Sequence, residues 1–223
     1  MKIKVVENPP IDPREFDLPT EFNEGHIEDI VEIFNTPLVG HYNWDYTDAD
    51  SRIKKLYELG KKLNWNGSID LDWSKAIKKG EPPMKAELLA RMEGPLAALP
   101  EEERLEYMWH DQAWGLSQFL HGEQGALLVA SQLVSCAPTY QAKLYAASQT
   151  FDEARHVEVF ARYLREVSGV EYPINKNLKS LIDKILSDPR WDLKFIGMQI
   201  IIEGLALAAF QTTKETSNCA LLR

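Results

Sequence analysis

Phe195-Ile196-Gly197-Met198-Gln199-Ile200-Ile201-Ile202-Glu203-Gly204-Leu205-Ala206-Leu207-Ala208-Ala209-Phe210 is the most apolar run in this 223-residue chain, and it carries a carboxylate at its middle. Gln199 and Glu203 are its only polar side chains, and no basic residue shares the run. An unpaired carboxylate among such neighbours is costly, and its usual escapes are protonation, a cationic partner or a metal ion. The run is shorter than the ~20 residues a bilayer crossing needs, so it reads as a buried core helix. With Asp188-Pro189 as its entry, it predicts a long helix from about Arg190 to Thr216.

Two more long helices precede it. Pro100 followed by Glu101, Glu102 and Glu103 places acid on a first turn, where the helix dipole favours it. That helix is predicted over 100–136, and Pro138 marks a turn. The next is predicted over 139–168 and ended by Gly169 and Pro173, with a short helix from Leu178 to Leu186 in the connection that follows. Long helices joined by a tight turn pack as antiparallel neighbours, so the expected fold is an all-α bundle.

The acids on these helices form a pattern. Glu123 has Phe119 and Leu120 one turn before it and Ala126 and Leu127 one turn after, so it lies on an apolar stripe. Glu153 and His156 are i and i+3, which brings a carboxylate and an imidazole to one helix face. Alone, a Glu-x-x-His is a solvated helix face more often than a metal site. Two carboxylates on apolar stripes of separate helices and a Glu-x-x-His on a third point together to metal, with Glu123, Glu153, His156 and Glu203 as ligands. Oxygen-rich donors with few imidazoles suit iron or manganese better than zinc or copper. The bundle pattern for two metals needs a second Glu-x-x-His. None is found: His26, His41, His110 and His121 have no Glu three residues before them. Glu106 and His110 read as an exposed pair, and His121 points to a different face from Glu123.

Other features bound the reading. The 44% hydrophobic and 26% charged composition is that of a soluble globular protein. A net charge of −9 argues against a duplex nucleic-acid surface. Cys136 and Cys219 form no paired spacing, which suits a cytoplasmic setting, and no leader or membrane span is expected. Residues 1–97 read as an arm with covering helices, and 98–223 as the bundle. Within the first part, Ile27, Ile30, Val31 and Phe34 predict a short helix, and Ile53, Leu56, Tyr57 and Leu63 predict another. Tyr42, Trp44, Tyr46, Trp65 and Trp73 are expected to form an aromatic-rich layer over the core.

Phe119-Leu120-His121-Gly122-Glu123-Gln124-Gly125-Ala126-Leu127, Asp152-Glu153-Ala154-Arg155-His156-Val157 and Ile202-Glu203-Gly204-Leu205-Ala206 resemble the ferritin-like di-iron carboxylate superfamily. The branch is similar to bacterial ferritin-like domain proteins akin to ribonucleotide reductase small subunits and arylamine N-oxygenases. The resemblance covers about residues 40–223. It implies a ferritin-like antiparallel bundle, two iron ions or a manganese–iron pair, and Asp152 hydrogen-bonded to an opposing histidine. It also implies an oxidoreductase that uses O2 to oxidise a small organic substrate. An iron-binding, ferroxidase-type protein and a metal-free bundle acting as a folded partner are the alternatives. The missing motif would fall near residue 233 if the Glu123–Glu153 spacing were repeated from Glu203. The expectation is therefore a bundle lacking its fourth helix, either part of a longer chain or closed as a homodimer.

Overall fold

A computed structural model of the chain describes residues 31–36, 38–47, 51–89 and 93–223. The fold is all-α. Its elements are α1 (Ser51–Lys62), α2 (Glu101–Cys136), α3 (Tyr140–Tyr163), α4 (Lys176–Ser187) and α5, which runs from Trp191 to Thr216. Short helical turns at Trp73–Lys75, Ala86–Leu89 and Gly94–Ala98 link α1 to α2. An isolated antiparallel bridge pairs Met84 with Ser217.

The punctuation in the sequence produces these boundaries. Pro100 caps α2 without a side-chain bond, and the acids of the first turn face its free N–H groups. Thr139 caps α3 by accepting from the Ala142 N–H at 3.2 Å. Past Tyr163 the helix widens over Leu164–Ser168 and closes with the Gly169 N–H donating to Leu164 O at 2.8 Å. Asn175 caps α4 by accepting from the Asn177 N–H at 2.9 Å. The predicted helix at 27–34 differs. Residues 27–30 lie outside the described residues, while 31–36 have no regular structure and Val31, Ile33 and Phe34 are exposed. A helix that short cannot recover its nucleation cost without an apolar partner for its stripe.

The tight turn at 137–139 returns α3 along α2, and α1 lies against α3. Two buried clusters result. One joins Ala126, Val129 and Leu133 of α2 to Ala146 of α3, Ile182, Ile185 and Leu186 of α4, and Met198 and Ile202 of α5. The other gathers Trp109, Ala113, Leu116 and Leu120 around Tyr163, Leu164, Tyr172, Ile77 and Cys219. Glu123 falls between them in sequence. Close approach sets where α4 sits: a Cβ on Gly125 would lie 2.8 Å from Ile182, and one on Gly197 2.9 Å from Ile185. Lys194 is fully buried, and its Nζ donates to Ile185 O at 2.9 Å and Leu186 O at 2.7 Å. Those are carbonyls that the end of α4 leaves without intrahelical partners, so the ammonium ties the start of α5 to that end.

Two expectations need correction. The apolar run in α5 is not a buried core helix, because only its inner side is covered. Met198 and Ile202 are buried, whereas Ile196, Ile200, Ile201, Leu205 and Leu207 are exposed. By length and composition α5 could cross a membrane, but core helices pass the same test; only 11% of its most apolar window is buried. The aromatic layer is also partial. Trp65 and Trp73 are half-buried, but Tyr42, Trp44 and Tyr46 stand in solvent, with Tyr42 and Trp44 stacked on each other at 5.0 Å between centroids.

Candidate metal centre

Glu123 projects from α2 and meets Glu153 and His156 of α3. The i, i+3 spacing puts the two α3 side chains on the face that α2 covers. Nδ1 of His156 lies 3.1 Å from Oε2 of Glu123 and 3.1 Å from Oε2 of Glu153. One donor atom from each residue can be chosen so that all three lie within 4.8 Å of one another. Both carboxylates are buried, and the His156 side chain is 37% exposed.

The electrostatics match two crowded acids around one imidazole. Burial raises the Glu153 carboxyl, and the neighbouring Glu123 raises it further while His156 works against this. Burial alone would lower the His156 ring. The hydrogen bonds to Glu123 and Glu153, and their charges, override that and push it up to about 10. Without metal, then, a ring proton is held where a cation is needed, and Nδ1–H donates to the two carboxylates.

Glu203 comes from α5. It is half-buried and stands outside the three-residue group, yet close enough to feel it. Burial raises its carboxyl to about 7, the Glu153 charge adds to this, and His156 acts against it. The other polar side chain of the apolar run, Gln199, accepts a hydrogen bond from Gln149 of α3. Tyr145 lies nearby on α3; burial raises its hydroxyl, and the charges of Glu153 and Glu203 raise it further.

Asp152 pairs with Arg155 of its own helix. Arg155 is buried and donates to Asn64 Oδ1 and, at 2.9 Å, to Trp65 O. Its guanidinium lies 4.8 Å from the Trp65 ring centroid, and that ring stacks on His156 at 6.1 Å. Asp152 is thus linked to His156 only by a chain of contacts that runs through Arg155 and Trp65. Sequence reading missed both residues. Arg155 had a signal, three residues after an acid on the same helix; Trp65 had none, because it arrives from a distant loop.

The remaining described histidines are committed elsewhere. His41 Nδ1 bonds Cys136 O at 3.0 Å, and His121 Nε2 bonds Tyr172 O at 2.8 Å. His110 is half-buried against the Tyr172 hydroxyl at 2.7 Å, not part of an exposed pair with Glu106. The donors present therefore fit one metal ion through Glu123, Glu153 and His156. For a second ion, the described residues nearby offer a shared Glu153 and Glu203, with no second imidazole. No family model, curated protein or solved structure matches the chain.

Proposed function

We propose that this chain is a metal-dependent oxidoreductase of the ferritin-like kind, which uses O2 to oxidise a small organic substrate. The observation that carries the reading is the convergence of two buried carboxylates and one imidazole from facing helices. Among the described residues His156 alone offsets their charge, and a cation at their centre would remove the imbalance that is left. In this reading Glu123, Glu153 and His156 hold the first iron. Glu153 and Glu203 would be the residues to hold a second iron or manganese. When bound, such a pair supplies the electrons that O2 reduction consumes.

The chain's own residues do the rest. His156 would give up its ring proton to serve as a ligand, and a bound cation would offset the burial, and after it the mutual repulsion, that raise the Glu153 and Glu203 carboxyls. Trp65 covers one face of the His156 ring and limits water there. The test is anaerobic Fe(II) titration with metal analysis, followed by O2 uptake with and without candidate substrates. Tight iron that reacts with O2 is expected, and Glu153→Gln should abolish it. Tight iron without substrate-dependent uptake would move the reading to an iron-handling protein, and no iron would end it.

A further inference from the structure

Two cavities meet at Glu123. The first, about 220 Å³, lies between α2, α4 and α5 and is walled by Phe119, Leu178, Ile202, Leu205 and Phe210, with Glu123 and Glu203 among its lining. The second, about 260 Å³, lies on the other side and is walled by Trp65, Leu116, Phe119, Phe160 and Phe210, with Glu123 and His156 among its lining. Phe119, Glu123 and Phe210 belong to both. The two phenylalanines meet edge-on at 4.8 Å between centroids, and Phe160 packs on Phe210 at 6.0 Å and Phe119 at 5.8 Å.

We infer that these cavities are two compartments of one binding site for an uncharged apolar small molecule, with the Phe119–Phe210 pair as the partition that limits ligand length. For what happens to the ligand, this rests on the metal reading; for binding, it does not. The walls of the first compartment are aliphatic and aromatic. Its one other polar side chain, Gln118, is satisfied by Pro173 O at 3.0 Å and the Asn175 N–H at 2.7 Å. A ligand anion in the first compartment would face the acidic groups of Glu123 and Glu203, and its apolar walls offer a charge no compensation. The size is also selective: an apolar cavity of ~150 Å³ accepts benzene, so each compartment suits roughly one substituted ring. The first compartment has an apolar mouth, since Leu181 and Leu205 on its rim are 39% and 65% exposed. Nothing lies within 4 Å of where a Gly122 side chain would begin, which leaves the approach to Glu123 open on that side.

The experiment is calorimetric titration of the metal-free chain with toluene, benzoate and naphthalene, repeated with Phe210→Ala and Ala206→Trp. Mn(II) binding is followed separately by electron paramagnetic resonance. Toluene should bind the unaltered chain at least tenfold tighter than benzoate. Phe210→Ala opens the partition and should raise affinity for naphthalene relative to toluene by roughly tenfold, the gain from burying the second ring. Ala206→Trp fills the first compartment and should cut the toluene stoichiometry from two to one, with Mn(II) binding retained. If Phe210→Ala does not fold, Phe210→Leu should show the same ratio change at reduced size. Equal binding of benzoate and toluene, no heat with toluene, or an unchanged ratio in both Phe210 variants would overturn the inference. Loss of Mn(II) binding with toluene binding intact would instead sink the metal reading alone.

Discussion

The α2–α3 hairpin and α5 contribute to the same centre, but they are held very differently. The hairpin buries Leu120, Glu123, Ala126, Val129 and Ala130 on one side and Ala146, Glu153 and Arg155 on the other. In α5, Lys194, Met198 and Ile202 are buried, and from Glu203 to Thr216 no residue is. The three converging donors all come from the hairpin. The more distant carboxylate rides on the helix that is covered on one side only. Under the proposed metal reading, this difference divides the labour: the hairpin would fix the first ion and α5 would adjust what lies beside it.

Metal affinity is the strongest way to break this comparison. Glu153→Ala is expected to weaken Mn(II) binding by roughly 100-fold or more, because loss of a ligand should exceed the 10–100-fold typical of residues behind the ligands. Glu203→Ala should cost about tenfold or less, measured in the same titration. Equal losses would show that α5 holds the first ion as firmly as the hairpin does.

Packing offers a second test, within α5 itself. Met198 is wholly buried, so Met198→Ala should cost about 2–5 kcal/mol in urea unfolding. Leu205→Ala, at a site 65% exposed, should stay within about 0.5 kcal/mol. A larger Leu205 effect would mean that this face is covered in solution. Lys194→Ala should fall between the two, at about 1–3 kcal/mol, because both carbonyls lose the ammonium and Ile185 O keeps only the Asp188 N–H at 3.4 Å.

The smallest effect is a pH slope. The folded-state carboxyl of Glu203 is raised to about 7, above the 4.5 of an unperturbed Glu. Its contribution is therefore complete below pH 4.5 and is lost as pH rises through 7. After discounting for solvent screening, the loss is on the order of 1 kcal/mol. Metal-free Glu203→Gln should lack that part of the slope, as followed by thermal unfolding across this range.

The long helices were legible because proline, glycine and capping residues punctuate them, as Pro100, Thr139 and Gly169 do. Glu123 was legible because it lies on an apolar stripe, and Glu153 and His156 because their spacing gives them one face; it was the three acids taken together that pointed that face inward. Which side of α5 is covered was not, since a helix apolar nearly all round carries no periodic signal of direction. Lys194, just before that run, carries no sign in the sequence of the role the fold gives it, which uses its length to reach the end of α4. The Trp65–Arg155 contact was equally hidden, because it joins residues 90 apart along the chain.

One feature of α5 bears on length instead of chemistry. Over Ile196–Ile202 the helix is widened, with the Glu203 N–H shared between Ile200 O and Met198 O, so one turn holds a surplus residue. A regular helix advances about 100° per residue. Deleting a single codon between positions 196 and 202 would remove that surplus and let the turn close as a regular helix, with the segments before and after it kept in their present orientation. The regular turns between Glu203 and Phe210 have no such slack, and a deletion there would swing Phe210 round by about that angle. This stretch can thus lose one letter and keep its carboxylate facing the hairpin, which the turns after it cannot.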